Sequence, residues 1–170
     1  MKTARSFRRI GVLAAGAAAL LAVAIITADA QRGLGPFERL AGSWSGSGII
    51  ATNNGARERI RCKASYQVGE EGYALAQNLR CASDSYRFDV NSQVRLEGGR
   101  LTGNWSETTR GVSGEVAGRA DHDQIIATVT GPNFSAGLSI ATRGRTQAVT
   151  IQPSSGAEIT QVAVRLSEER

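Results

Sequence analysis

The tripeptide Asp121-His122-Asp123 is the strongest candidate in this sequence for metal binding or acid–base catalysis, since imidazole and carboxylate groups serve both. His122 is the only histidine of the 170-residue chain. The same composition is typical of a turn whose side chains point into water. One loop does not supply the converging ligands of a metal site. We therefore favour the turn, and predict no metal ligand, no cofactor and no catalytic residue.

A second pattern, Gly42-Ser43-Trp44-Ser45-Gly46, places serines between glycines but is not the nucleophile elbow of a serine hydrolase. Its central residue is Trp44, and no second histidine exists to activate a serine. The neighbouring Gly46-Ser47-Gly48 lacks the rest of a phosphate-binding loop and lies on a predicted strand. The protein is therefore predicted not to be an enzyme.

The two cysteines, Cys62 and Cys81, lie symmetrically about a predicted turn at Glu71-Gly72. Pairing across that turn sets Cys62 opposite Cys81 and Tyr66 opposite Gln77 on one face of a hairpin. Because antiparallel partners approach closely enough to be bridged, we predict a structural disulfide. A redox-active pair is the alternative, but C-x-x-C spacing is absent.

The first thirty residues have the layout of a secretory signal peptide. Four basic residues precede an uncharged apolar run of 17 residues from Ile10 to Ile26, and Ala28-Asp29-Ala30 is a small-residue cleavage site. An uncleaved anchor is the alternative, since this run reaches the short limit for crossing a bilayer. We predict a cleaved signal over residues 1–30, a periplasmic or secreted location, and no transmembrane segment after cleavage.

The predicted mature chain, residues 31–170, has the length of a single domain. The whole chain has 20 Lys and Arg against 15 Asp and Glu. Removing residues 1–30 leaves 16 basic and 14 acidic residues, a net charge of +2. The high calculated pI therefore comes mostly from the signal, and we predict no nucleic-acid partner.

Alternation of apolar and polar residues between turn residues predicts an all-β fold. Consecutive hairpins describe an antiparallel up-and-down meander, which favours a closed barrel; a flattened barrel or β-sandwich is the alternative. Two of the hairpins are predicted to pair Val116 with Ala127 and Val129 with Phe134. About ten strands are predicted, near residues 41–50, 57–68, 74–82, 85–96, 100–108, 112–119, 124–130, 134–142, 146–152 and 159–167.

The predicted interior mixes large aromatic residues with alanine, valine and glycine. A barrel of about ten strands is wide enough that side chains need not fill it. Such a mixture can line a cavity for a small apolar or amphipathic molecule, and we predict Tyr66, Trp105 and Phe134 as ligand contacts. Walls that touch and leave no cavity are the alternative.

The outward face of the strand that begins at Arg57 is basic, with Arg59, Arg61 and Lys63 at alternate positions. The predicted hairpin sets Lys63 opposite Arg80, a like-charge pair that is unfavourable without an acidic neighbour or an anionic partner. A solvated polar face and a contact with an anionic surface are both compatible with this pattern.

The segment Leu40-Ala41-Gly42-Ser43-Trp44 follows a short helical stretch from Pro36 to Leu40 and carries a G-x-W motif on the first strand. With the meander that follows, it resembles the calycin-type barrels, which include lipocalins, fatty-acid-binding proteins and nitrobindin-like proteins. In these families the tryptophan commonly packs across the closed end of the barrel, which implies that role for Trp44. Together with the predicted signal peptide and cavity, this resemblance favours an exported, non-enzymatic barrel that binds or carries a small hydrophobic or amphipathic molecule.

An envelope protein-interaction module, such as a protease inhibitor, is the alternative function. Exported metalloprotease inhibitors are similar in having a small barrel, an L-x-G-x-W opening and one disulfide. The cysteine spacing and the additional strands differ from that family, and its inhibitory N-terminal segment has no counterpart in Gln31 to Gly35.

Overall fold

The computed structural model of the protein describes residues 34–154 and 157–170. Short 3-10 turns cover Glu38–Leu40 and Glu70–Gly72. The ten strands are β1 Gly42–Thr52, β2 Arg57–Gly69, β3 Ala74–Ala82, β4 Arg87–Glu97, β5 Arg100–Glu107, β6 Val112–Ala120, β7 Gln124–Gly131, β8 Phe134–Arg143, β9 Thr146–Pro153 and β10 Ile159–Glu168. The predicted all-β fold is confirmed, and each predicted strand is present with ends that agree within two residues.

The strands form one closed barrel, in which each strand pairs with the next and β1 pairs with β10. Every pairing is antiparallel, so the up-and-down meander is confirmed. Closure leaves no unpaired edge strand to template association. The predicted signal peptide, over residues 1–30, lies outside the described residues. That signal and the domain boundary at residue 31 therefore stay predictions.

The β2–β3 hairpin has the register that the sequence predicts. Cys62 lies opposite Cys81, and Tyr66 opposite Gln77. On β2, buried residues alternate with exposed ones, so one face forms the barrel interior and the other meets solvent. Lys63 lies opposite Arg80 on the outer face.

Two predicted hairpin registers are wrong by two residues. Val116 pairs with Val129 rather than with Ala127, because the centre of the turn after β6 lies one residue later than predicted, between His122 and Asp123. Val129 in turn pairs with Ala136 rather than with Phe134. A shift of two residues preserves the face on which each side chain lies, so the predicted interior is unchanged.

Two inward-facing glycines allow neighbouring strands to approach closely. A Cβ added to Gly46 would overlap the carbonyl oxygen of Arg165, and one added to Gly114 would overlap that of Thr130. These glycines lie on β1 and β6, which are five strands apart around the ring. The absence of a side chain at each of these positions lets the neighbouring strand approach closely.

One end of the barrel is closed by residues 34–40 and by Trp44. The Trp44 side chain is 1% exposed, and its indole donates a hydrogen bond of 2.9 Å to the carbonyl oxygen of Leu40. Phe37, which belongs to the same segment, is fully buried. Trp44 contacts the Tyr66 ring edge-on, with 6.4 Å between the ring centroids. These contacts agree with the packing across the closed end that the resemblance implies for this tryptophan.

Candidate functional site

The barrel encloses a cavity of about 520 Å³. It extends from above the closed end to the end at which β1, β3, β5, β7 and β9 finish, hereafter the open end. Its walls are mostly aliphatic and are contributed by β2 to β10. They include Leu79, Val90, Val116, Val129, Leu138 and Val149. The interior is thus neither filled by its own side chains nor collapsed, as expected for ten strands.

Tyr66 lies at the floor of this cavity. It is 4% exposed, and its hydroxyl donates a hydrogen bond of 2.8 Å to Oε1 of Gln147, which is itself buried. Burial raises the pKa of Tyr66 far above its usual value, although the hydrogen bond to Gln147 acts in the opposite direction. Tyr66 therefore offers a neutral ring to the cavity and directs its hydroxyl into the floor.

Trp105 and Phe134 lie together near the open end. Their rings meet edge-to-face at 5.9 Å, and the Trp105 indole donates a 3.0 Å hydrogen bond to the Thr130 carbonyl oxygen. Phe134 is 39% exposed. All three predicted contacts line the cavity, but they are spread from its floor to its opening. Their role as ligand contacts stays a prediction.

The cavity wall carries one polar pair that sequence reasoning did not single out. Gln77 and Ser92 lie opposite each other on β3 and β4, and the Ser92 hydroxyl donates to Oε1 of Gln77 at 2.9 Å. Both residues face the apolar cavity. The Gln77 amide Nε2 group is the end of this pair that can donate to a bound molecule. The sequence did contain a signal for Gln77, because this residue alternates in register with Leu75 and Leu79, which face inward on the same strand.

The open end has an aromatic rim that the sequence also did not reveal. The rings of Tyr86 and Phe88 are stacked, with 6.3 Å between their centroids. The Arg110 guanidinium lies 5.1 Å from the centre of the Phe88 ring. The Tyr86 hydroxyl donates a 2.8 Å hydrogen bond to the Glu158 carboxylate. This hydrogen bond raises the pKa of Tyr86. The rim thus combines apolar rings with both signs of charge.

Glu107 organises the loop that carries Arg110. Its side chain is 5% exposed and accepts hydrogen bonds from the backbone N–H groups of Asp89, Thr109 and Arg110 at 3.0, 3.1 and 2.8 Å, and from the Thr109 hydroxyl. Burial raises the pKa of Glu107, but these hydrogen bonds outweigh it and lower the pKa to about 2. Glu107 is therefore a fixed anion that positions the rim.

The two cysteines form a disulfide between β2 and β3, as the register predicts. Both are more than nine-tenths buried and contribute to the cavity wall. The bond ties together two neighbouring strands beneath the rim. It closes a local loop with a sequence separation of 19 residues, which fits a structural bridge.

The Asp121-His122-Asp123 segment lies at the closed end, away from the cavity opening. Asp121 accepts hydrogen bonds from the N–H groups of Asp123 and Gln124, which lower the pKa of Asp121. Asp123 forms an exposed ion pair with Arg39 at 3.2 Å. These contacts build the turn between β6 and β7. Among the described residues, no group of three or more His, Cys, Asp and Glu side chains is arranged to hold a metal ion.

Comparison with known proteins supports the fold. Rv2717c from M. tuberculosis has a similar structure, with a TM-score of 0.63 and 13% identity over 78% of this chain and 94% of its own. The S-type phycobiliprotein lyase CPES from Guillardia theta has a TM-score of 0.54 and 12% identity over 79% of this chain and 90% of its own. The chain shares their calycin-like barrel fold. At such identities the likeness extends to the fold alone.

No protein-family model matches the chain, and no curated protein matches it in sequence. Within the described residues, no helix is long and apolar enough to span a bilayer. Function must therefore be argued from the cavity and the surface of this barrel rather than from a relative.

Proposed function

We propose that the protein is an exported carrier that binds a small apolar or amphipathic molecule inside the barrel without covalent chemistry. The observation that carries this proposal is the apolar cavity of about 520 Å³. Its volume lies within the range of about 300–1,000 Å³ that is typical of small-molecule sites. Burial of apolar surface against these walls supplies the driving force for binding.

The positions of the polar groups favour an amphipathic ligand. Gln77 and Ser92 provide one hydrogen-bonding point on an otherwise apolar wall. Arg110 and the Tyr86 hydroxyl lie at the rim, where a polar end of the ligand would meet water. A few placed polar groups on an apolar surface are the usual means by which such sites orient a ligand.

The state of the titratable groups along the cavity supports binding rather than catalysis. Glu107, with a pKa near 2, is a weak base at neutral pH, and Tyr66 is a weak acid with a raised pKa. The sulfur atoms of Cys62 and Cys81 are joined to each other and cannot act as thiolate nucleophiles. Each of these groups already has a structural partner.

A cavity-filling variant tests the proposal. Val129 lines the cavity, whereas its neighbour Thr128 is exposed on the outside of the same strand. We expect refolded, ligand-free protein to bind the fluorescent probe anilinonaphthalene sulfonate, and V129F to bind it about tenfold more weakly because the added ring occupies the site. The matched variant T128F should bind like the unmodified protein. Failure of the unmodified protein to bind the probe, or equal binding by V129F, would overturn the proposal.

A further inference from the structure

The outside of the barrel carries a strongly basic region on the adjacent strands β3, β2, β1 and β10. Its cationic side chains are all exposed. The region, here called the basic patch, comprises Arg57, Arg59, Arg61, Lys63, Arg80 and Arg165. Within these four strands, the outward positions carry no carboxylate.

The strand register brings these cations together on one surface. Ser47 of β1 pairs with Arg61 on one side and with Arg165 on the other, so the two arginines flank a small hydroxyl side chain. Successive outward residues of β2 are about 7 Å apart, and β2 lies about 10 Å from β10. The charges therefore cover a two-dimensional area rather than a single line.

Most of this charge is not neutralised by carboxylates of the described residues. Arg80 is the only member of the basic patch in an ion pair with a described residue, at 3.2 Å from Asp89. Arg59 is 3.4 Å from the Ser47 hydroxyl. Elsewhere on the barrel, Arg95 pairs with Glu70 and Arg145 with Glu168. Repulsion between neighbouring cations that lack nearby carboxylates disfavours the folded state, unless an anionic partner binds to them.

Protection of a sheet edge does not account for the basic patch. Basic residues on strands often prevent edge-to-edge association. Here, however, β2 is paired on both sides, with β1 and β3, and the barrel has no open edge. Another explanation is therefore needed for the row from Arg57 to Lys63.

We propose that the basic patch docks on the anionic phosphate headgroups of a lipid bilayer. Guanidinium groups, which dominate the patch, bind phosphate through two parallel hydrogen bonds. Small side chains on the intervening strand, such as Ser45 and Ser47, leave room for headgroups to approach. The exposed large apolar residues of the described chain lie outside the patch, so no aromatic platform is present for stacking on sugars or bases. Binding is therefore electrostatic, and it does not depend on occupancy of the cavity.

Vesicle sedimentation tests this assignment. We expect the exported, oxidised protein to sediment with vesicles of equal parts phosphatidylglycerol and phosphatidylcholine, and not with pure phosphatidylcholine. Replacing three cations, in R59Q/R61Q/K63Q, should weaken binding about a hundredfold, at about fivefold for each basic side chain. The matched variant R100Q/R119Q/R143Q removes the same charge from exposed sites outside the patch and should retain the binding.

The salt dependence of vesicle binding is a second test, and it uses the unmodified protein, so it does not depend on whether a variant folds. Binding to the anionic vesicles should fall steeply as sodium chloride is added, because salt screens exposed charges. Binding that resists salt, absent binding to anionic vesicles, or equal losses in both triple variants would overturn the proposal. Binding to soluble dextran sulfate without binding to vesicles would also overturn it, in favour of an acidic glycan.

Discussion

The Tyr86 hydroxyl donates a 2.8 Å hydrogen bond to the carboxylate of Glu158 and thereby joins the loop after β3 to the loop after β9. These loops are not neighbours around the open end, because the β1–β2 loop lies between them. Tyr86 also stacks on Phe88, which lines the cavity. The contact therefore links the polar rim to the apolar interior.

This contact predicts that Tyr86 slows ligand exchange. Tyr86→Phe keeps the ring stack but removes the hydroxyl, so the two loops separate more readily. We expect several-fold faster release of anilinonaphthalene sulfonate in stopped-flow displacement, with little change in the melting temperature. The control is Tyr73→Phe, which alters an exposed tyrosine at the closed end. Equal release rates for the unmodified protein and Tyr86→Phe would contradict the prediction.

The Gln77–Ser92 pair predicts a preference for ligands that carry a hydrogen-bond acceptor. Gln77→Leu conserves the approximate size of the side chain but removes the amide donor. We expect it to weaken displacement of the probe by a long-chain ketone about fivefold, and to leave displacement by a hydrocarbon of equal length unchanged. Gln93→Leu, at an outward position of β4, is the control. Equal effects on both competitors would show that Gln77 acts only through packing.

The lowered pKa of Glu107 predicts that the protein loses stability in acid. This pKa in the folded protein is about 2, below the usual 4.5, so protonation favours the unfolded chain. The stabilisation is complete above pH 4.5 and is lost as the pH falls toward 2. In urea titrations across this range, the free energy of unfolding of E107Q should lack the pH dependence that Glu107 contributes. At neutral pH, E107Q should be about 2 kcal/mol less stable, because it removes the charged acceptor of three N–H groups. An unchanged acid dependence in E107Q would refute this role.

Because Trp44 is buried and hydrogen-bonded, we expect it to contribute strongly to the free energy of unfolding. Trp44→Ala removes a fully buried side chain and leaves the Leu40 carbonyl without its indole donor. We expect a loss of about 3–5 kcal/mol in the free energy of unfolding. Trp44→Phe, which keeps an aromatic plug, should lose less. A cost below about 1 kcal/mol for Trp44→Ala would mean that the closed end contributes little.

The strands were predictable because alternation has a fixed period of two and glycine-containing turns interrupt it. The Cys62–Cys81 register followed from counting across one short turn. The registers at Val116 and Val129 did not, because the centre of each turn lies one residue later than predicted, and consecutive turn-forming residues leave the position of the centre open. The error was two residues in both cases, since an odd shift would have exposed the buried face.

The candidate site was only partly predictable. The alternation of inward and outward side chains along each strand was sufficient to assign Tyr66, Trp105 and Phe134 to the interior. The contact between Tyr86 and Glu158 joins residues 72 positions apart and exists only because the barrel closes. The close approach of Gly46 to the Arg165 carbonyl oxygen likewise depends on the pairing of the first strand with the last. Such features arise from closure of the whole sheet and have no local sequence pattern.

The most direct test of the carrier proposal is native mass spectrometry of the protein purified from the periplasm without detergent, compared with the same sample after denaturation. We expect an added mass of a small apolar or amphipathic molecule that disappears on denaturation. We also expect V129F to carry less of this mass than T128F. A bare protein mass, unchanged after incubation with periplasmic lipid extract, would contradict the account.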